Sequence, residues 1–152
     1  MTAPTVFSDV AGTAANTFCA KHAPQGVLAQ KFILTLAAGL VAGTNCGLIR
    51  FQKGFSLVGL GLVGTDMDTA TTLVLDVGYL YDATTDEDDN AFINDSTIGQ
   101  AATDVVWPVA GGLLTGTSFV AAGPGYLSLT TRGETIEVAG TVTGIALFTY
   151  DL

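Results

Sequence analysis

The residues of this chain that could do chemistry stand in patterns that fall short of a catalytic or metal site. The only histidine, His22, follows Cys19 at a spacing that could form half of a zinc site, but zinc takes four ligands and Cys46 is the only other cysteine. A conventional hydrolase triad would also have to use this histidine, and no Gly-x-Ser-x-Gly motif accompanies it. We therefore expect no catalytic residue and no cofactor, and we expect both cysteines to be reduced and buried.

An acidic stretch is similar to the start of a calcium-binding loop. Asp86-x-Asp88-x-Asn90 matches the first ligand positions of an EF-hand. Ala91, however, stands where that loop needs its turn glycine, and Thr97 stands where it needs its bidentate glutamate, so the EF-hand is excluded. A solvated acidic loop is the expected outcome, and an irregular Ca²⁺ site is the alternative, with the metal candidates Asp86, Asp88 and Asp89.

A glycine pattern matches the dinucleotide-binding fingerprint. Gly59-x-Gly61-x-x-Gly64 has the required spacing, but the fingerprint works by placing a pyrophosphate at the start of a helix. Residues 65–72 predict a turn into another strand instead of that helix. We interpret the three glycines as small residues in a strand, where they permit a bulge or close sheet packing.

Two carboxylates could form the acid and base of a glycosidase. Asp76 and Asp104 are the candidates, but a chain with one tryptophan has few aromatic platforms for a sugar. We expect Asp76 to face solvent from a strand. Trp107, which precedes a proline, is expected at an edge or an interface.

Charge and composition limit the partners. The formal net charge of −9 argues against nucleic acid, because neutralising phosphates requires clustered Lys and Arg. Residues 1–53 carry four basic side chains and one acid, a net of +3, whereas residues 54–152 carry one basic side chain and thirteen acids, a net of −12. No apolar run reaches the roughly 18 residues of a membrane span, so no membrane is expected. A mean hydropathy of +0.51 indicates that apolar surface is covered by contacts between subunits.

The chain predicts short strands joined by tight turns. Gly occurs 19 times, Thr and Ala are abundant, and helix-favouring charged residues are scarce. In residues 71–81 apolar and polar positions alternate, which predicts a half-buried antiparallel strand. The whole pattern predicts an all-β, jelly-roll-like antiparallel β-sandwich. The predicted strands span residues 32–36, 46–51, 55–63, 71–81, 105–109, 118–122, 126–131, 135–139 and 141–150.

The two ends of the chain differ in their predicted structure. Residues 1–29 lack periodicity and predict an extended N-terminal arm, with at most a short helix after Ser8 as its N-cap. Residues 30–152 are predicted to form one β-sandwich domain. At the other end, the last two strands are predicted to pair as a hairpin across a turn near Gly140, which places the C-terminal residues inside a sheet.

One long polar interruption separates the predicted strands. It covers residues 82–104 and contains the acidic stretch. Ser96 could begin a short helix that ends near residue 102. Phe92 and Ile93 are expected to anchor the segment on the core.

Residues 30–152 resemble the small capsid-decoration, or cement, proteins of tailed bacteriophages. The segments that carry the resemblance are FSLVGLGLVG, TTLVLDVGYLYD, DDNAFINDSTIGQAA and ETIEVAGTVTGIALFTYDL. The resemblance implies a jelly-roll domain that forms trimers and binds the major capsid protein on the outer surface of the virion. Its action would be mechanical, because bridging shell subunits stabilises the shell. Expected capsid or intersubunit contacts are Lys21, Lys31 and Trp107.

Two other functions stay open at this point. One is a carbohydrate- or receptor-binding jelly-roll module of a phage tail or neck, against which the sparse aromatic residues count. The other is a small cupin-like enzyme, whose metal centre needs several histidines where this chain has one.

Overall fold

The computed structural model describes residues 3–11, 27–82, 87–100, 105–106 and 119–150. Within these ranges the chain forms strands and turns, with no helix. In chain order the strands are β1 (Val6–Phe7), β2 (Leu28–Leu36), β3 (Asn45–Phe51), β4 (Phe55–Gly64), β5 (Val74–Tyr81), β6 (Asp88–Ser96), β7 (Val105–Val106), β8 (Gly125–Arg132) and β9 (Gly140–Tyr150).

The strands form two sheets that pack as a sandwich. Sheet 1 has the order β1-β3-β8-β5-β6, and sheet 2 has the order β2-β9-β4-β7. The pairings between these strands are antiparallel except for that of β1 with β3. The predicted all-β, jelly-roll-like antiparallel β-sandwich is confirmed.

The alternation of residues in β2 shows how sheet 2 is oriented. Phe32, Leu34 and Leu36 are fully buried, whereas Lys31 and Ile33 point to the other face and are exposed. The inner faces of the two sheets share one hydrophobic core. Its further members include Cys46, Phe51, Phe55, Leu57, Leu60, Leu62, Leu75, Val77, Leu127, Leu129, Val142, Ala146 and Phe148.

The C-terminal strand β9 is central in sheet 2, with β2 on one side and β4 on the other. Gly144 in β9 is the register partner of both Phe32 and Leu62. A Cβ at Gly144 would lie 2.3 Å from Phe32 Cζ and 2.7 Å from Leu62 Cδ2. Glycine at this position therefore lets the two larger side chains fill the core across the strand.

The predicted C-terminal hairpin is wrong, although the C-terminal residues do lie inside a sheet. β9 already has a partner on each side, so it has no open edge for residues 135–139. That segment pairs with a loop instead, where the Ile136 N–H donates to the Leu40 carbonyl at 2.9 Å. The Ile136 side chain is fully buried in the core.

Two shorter predictions are also wrong where the structure describes them. β6 continues to Ser96 and is followed by a turn, in which the Gln100 N–H donates to the Thr97 carbonyl at 2.9 Å, rather than by a helix. Of the predicted strand at 118–122, the described residues form one isolated bridge, between Val120 and Ser56. Residues 101, 102 and 118 lie outside the described ranges.

The described part of the N-terminal segment contacts both sheets. β1 pairs with β3 in sheet 1, and the Asp9 N–H donates to the Ile33 carbonyl of sheet 2 at 2.9 Å. The Ser8 hydroxyl accepts a hydrogen bond from the Ala11 N–H at 3.1 Å. Residues 9–11, which directly follow Ser8, form a turn where a short helix was predicted, and residues 12–26 lie outside the described ranges.

β5 is buried on both faces, so the prediction of a half-buried strand is wrong. The register between β5 and β6 is irregular, because Val77 pairs with Ile93 while Tyr79 pairs with Asp88. The extra β6 residues cross the outer face of β5, where a Cβ on Gly78 would lie 1.8 Å from the Asp88 carbonyl oxygen. Ile93 and its neighbour Phe92 are buried in the core, which confirms their predicted anchoring role.

The crossing of β6 buries two carboxylates that the sequence placed in solvent. Asp76 is 3% exposed and Asp89 is 9% exposed. Asp76 accepts hydrogen bonds from the Asp95 N–H at 2.7 Å and from Arg132 Nε at 3.1 Å. The same guanidinium also pairs with Asp89. The predictions of a solvent-facing Asp76 and a solvated loop at Asp89 are therefore wrong.

Arg132→Ala tests how much the cluster of Asp76, Asp89 and Arg132 contributes to the free energy of unfolding. The change leaves two carboxylates buried without their cation, and we expect a loss of about 2–3 kcal/mol of unfolding free energy. The expected loss is smaller than that for fully buried ion pairs, because the Arg132 side chain is 44% exposed. Urea denaturation followed by circular dichroism measures it. Lys53→Ala removes one cation from an exposed turn and is the control; equal losses in both variants would contradict a structural role for the cluster.

Candidate protein-binding surface

Charged residues are distributed unequally between the two sheets. The four strands of sheet 2 contain one charged residue, Lys31. The strands of sheet 1 carry charges of both signs, at Arg50, Asp76, Asp88, Asp89, Asp95 and Arg132. Sheet 2 therefore presents a nearly charge-free outer face on a chain whose net charge is −9.

The outer face of sheet 2 is built from aliphatic and small residues in register. Lys31 lies beside Ile145, and Ile33 lies beside Thr143, which is in turn beside Val63. Four aliphatic side chains of this face are exposed to solvent. Their exposed fractions are 39% for Ile33, 45% for Val58, 42% for Val63 and 36% for Ile145.

Glycines in β4 leave part of this face without protruding side chains. Gly59 lies opposite Leu147 in the register, and Gly61 lies opposite Ile145. A β-bulge between Leu57 and Gly59 inserts Val58, which is exposed. The predicted role of the glycine pattern is confirmed, because all three glycines lie within strand β4 and one of them borders a bulge. An exposed apolar face of this kind is typical of a surface that another protein covers.

Lys31 is exposed on this face and has no ion pair among the described residues. Asp9 lies at the outer edge of β2, where its carboxylate accepts a hydrogen bond from the Ile33 N–H at 2.7 Å. The carboxylate is thus held by the backbone. Lys31 remains available to a carboxylate of a partner.

The acidic residues outside the sheets include a group in two loops, 65–73 and 133–139. Glu137 accepts hydrogen bonds from the Thr69 N–H at 2.8 Å and from the Thr69 hydroxyl, and Glu134 accepts one from the Thr72 hydroxyl. These contacts tie the two loops together. They place these carboxylates in loops rather than in the strands of sheet 2.

Asp68 organises the first of these loops. Its carboxylate accepts hydrogen bonds from the backbone N–H groups of Ala70 at 2.7 Å, Thr72 at 2.6 Å and Leu73 at 2.6 Å. These bonds, that from Leu73 foremost, lower the pKa of Asp68. The ionised carboxylate therefore fixes the turn through Thr71, whose φ is +66°.

Cys46 lies in the core between the sheets as a free thiol. Burial raises its pKa to about 12, so the reactive thiolate is scarce at neutral pH. This matches the prediction of a reduced, buried cysteine at this position. Its proposed partners in a metal or catalytic site, Cys19 and His22, lie outside the described residues.

Several other predicted site residues also lie outside the described ranges, namely Lys21, Asp86, Asp104 and Trp107. Asp88 is exposed in β6, while Asp89 is engaged by Arg132. Within the described residues, His, Cys, Asp and Glu form no group of three that could hold a metal ion. That part of the chain also has no helix long and apolar enough to cross a membrane.

The nearly charge-free face of sheet 2 was not predicted from the sequence. The signal was present, because β4 and β9 are long segments without a charged residue. It was not recognised, because the predicted hairpin paired residues 141–150 with 135–139 instead of placing them between β2 and β4. The face becomes visible only when the strands are sorted into sheets.

No protein-family model and no curated protein matches this chain. Among solved structures, its fold is similar to a chain in the capsid of Ralstonia phage GP4, with a TM-score of 0.75, 21% identity, and coverage of 97% of this chain and 98% of that chain. It is also similar to a chain in the capsid asymmetric unit of cyanophage Pam1, with a TM-score of 0.62, 16% identity, and coverage of 88% and 95%. The likeness extends over nearly the whole sandwich and establishes a shared fold.

Alkylation tests the burial of Cys46. Iodoacetamide reacts with thiolates, so we expect no label on Cys46 in the native protein at pH 8 and complete labelling in denaturant. Peptide mass mapping separates Cys46 from Cys19. Native labelling of Cys46 at the rate of an exposed thiol would contradict its place in the core.

Asp68→Asn tests the carboxylate that holds the 65–73 loop. The folded pKa of Asp68 is lowered, so its stabilising effect is present above the unfolded value of about 3.9 and is lost as the pH falls through the folded pKa. We expect the variant to melt at a lower temperature than the parent at pH 7, and the difference to shrink as the pH falls below 4. Asp66→Asn, at an exposed neighbour, is the control. A difference that does not change with pH would contradict this role.

Proposed function

We propose that this chain is a non-enzymatic virion structural protein, a capsid decoration protein that binds the outer surface of a bacteriophage shell and bridges shell subunits. The likeness of its fold to chains from two phage capsids carries the proposal. Since that likeness covers 98% and 95% of the matched chains, those chains are about as small as this one. This chain therefore matches those capsid chains over nearly their whole length.

The polarity of the sandwich supports a binding role. One side of the protein is a nearly charge-free sheet with exposed aliphatic residues, and the carboxylates lie on the other sheet and in loops. The nearly charge-free face of sheet 2 suits contact with protein, and the charged residues of sheet 1 suit contact with water. A decoration protein needs both sides at once.

Bridging gives such a protein its mechanical effect. A protein that binds the assembled shell but not its separated subunits stabilises the assembly by mass action. Contact with more than one shell subunit adds to this effect, because the second contact forms at a high effective concentration. Stabilisation of the shell requires no chemical reaction.

The proposal includes a homotrimer and a set of contact residues. A trimer places three copies of the binding surface where shell subunits meet around a threefold axis. Lys21, Lys31 and Trp107 are the proposed contacts with the major capsid protein or between copies. Of these, Lys31 lies in the part of the chain that the structure describes, and it is exposed.

Reconstitution tests the proposed function. Capsids are assembled from the shell protein encoded by the same genome, without this chain, and purified protein is added. We expect the protein to cosediment with expanded capsids, to appear on their outer surface by cryo-electron microscopy, and to raise the temperature at which they break. Light scattering is expected to give three times 15.5 kDa for the free protein.

The controls separate the alternatives. Bovine serum albumin added in the same amount shows the background of cosedimentation. Binding to purified tails and not to capsids would overturn the decoration role in favour of a tail or neck module. A stable monomer that binds capsids would remove the trimer from the proposal and leave the shell contact in place.

A further inference from the structure

We propose that the outer face of sheet 2 is the surface by which the protein docks on the capsid shell. This rests on the proposed function and specifies it further. The partner surface is a flat, largely apolar face of the shell protein that places a carboxylate opposite Lys31. The residues that define the docking face are Lys31, Ile33, Val58, Val63, Thr143 and Ile145.

Burial and charge support this choice of face. The exposed aliphatic side chains of sheet 2 lie on neighbouring strands in register, so one flat partner can cover them together. Covering the corresponding face of sheet 1 would instead require desolvation of the exposed part of Arg132 and of the partly exposed Arg50–Asp82 ion pair. Removing ion pairs from water is costly, whereas removing aliphatic surface from water is favourable.

Lys31 indicates the chemistry of the partner. It is the sole charge of sheet 2 and has no ion pair within the described residues. A buried ammonium group needs hydrogen-bond acceptors and compensation of its charge, and a carboxylate on the covering surface supplies both. Charge complementarity of this kind fixes the orientation of a partner and speeds its association.

A second copy of the chain does not supply this carboxylate through the same face. Two copies joined face to face by a twofold axis would bring together two faces whose described strands carry Lys31 as their only charged residue. The observations therefore favour a different protein as the occupant of this face.

The test compares two matched pairs of variants. Lys31→Glu and Ile145→Glu alter the docking face. Lys53→Glu reverses a lysine in an exposed turn, and Val138→Glu changes an exposed aliphatic residue in a loop. Each protein is examined by circular dichroism and thermal melting, by light scattering, and by titration onto capsids that lack this chain.

We expect the face variants to bind capsids about tenfold more weakly or worse, while the loop and turn variants bind like the parent. All five proteins should have the same mass in solution. Because Ile145 lies in the central strand β9, its variant could be unstable; Lys31→Glu, at an exposed position of β2, then decides the question by itself.

Three outcomes would overturn the inference, and they are distinguishable. If the parent does not bind capsids, the proposed function fails and the docking face fails with it. If the parent binds and folded Lys31→Glu binds equally well, the docking face is wrong while the decoration role stands. If Lys31→Glu folds but loses the parent's oligomeric mass, the face is a contact between copies of this chain.

Discussion

The Phe32 ring lies across the central strand of sheet 2 at Gly144, where any side chain would occupy the space of the ring. Leu62 approaches the same glycine from the other neighbouring strand. β2, β4 and β9 are distant in the sequence, yet they meet at this position. The packing of Phe32 and Leu62 against Gly144 therefore places the inner faces of the three strands on the same side of the sheet. The register of β2 and β4 against β9 follows from this packing, and the register decides which residues form the outer face. The exposure of Lys31 beside Ile145 is therefore a consequence of how the core is filled.

The strands themselves could be predicted from residue alternation, because the period of two reports local structure directly. β2 shows this well, with Phe32, Leu34 and Leu36 buried and the intervening residues exposed. Which strands become neighbours could not be predicted in the same way. Residues 135–139 and β9 are adjacent in sequence and look like a hairpin, yet β9 pairs with strands that lie far from it along the chain. β9 is hydrogen-bonded to β2 along one edge and to β4 along the other. No local pattern in the sequence shows that both of its edges are paired in this way.

Asp76 shows a second limit of local reasoning. Alternation within β5 assigns it to the solvent side, and it does point away from the core. It is buried because β6 crosses that side, and its charge is compensated by Arg132, which is 56 residues away in sequence. Gly78 permits the crossing, since the Asp88 carbonyl occupies the position of its missing Cβ. A polar residue in a strand thus indicates which face it occupies, but its exposure depends on what packs over that face.

Lys31 illustrates how one residue can satisfy two requirements of the proposed docking face. β2 is an edge strand of sheet 2, and an edge strand beside exposed aliphatic residues tends to pair with other chains. Asp9 occupies the backbone N–H and carbonyl of Ile33 at this edge, and the charge of Lys31 disfavours burial without a carboxylate partner. The free protein is thereby kept from covering its apolar face with an arbitrary partner. The same lysine would form a favourable contact with a surface that places a carboxylate opposite it. The positive charge of Lys31 thus accounts both for the solubility of the free protein and for its selectivity in binding.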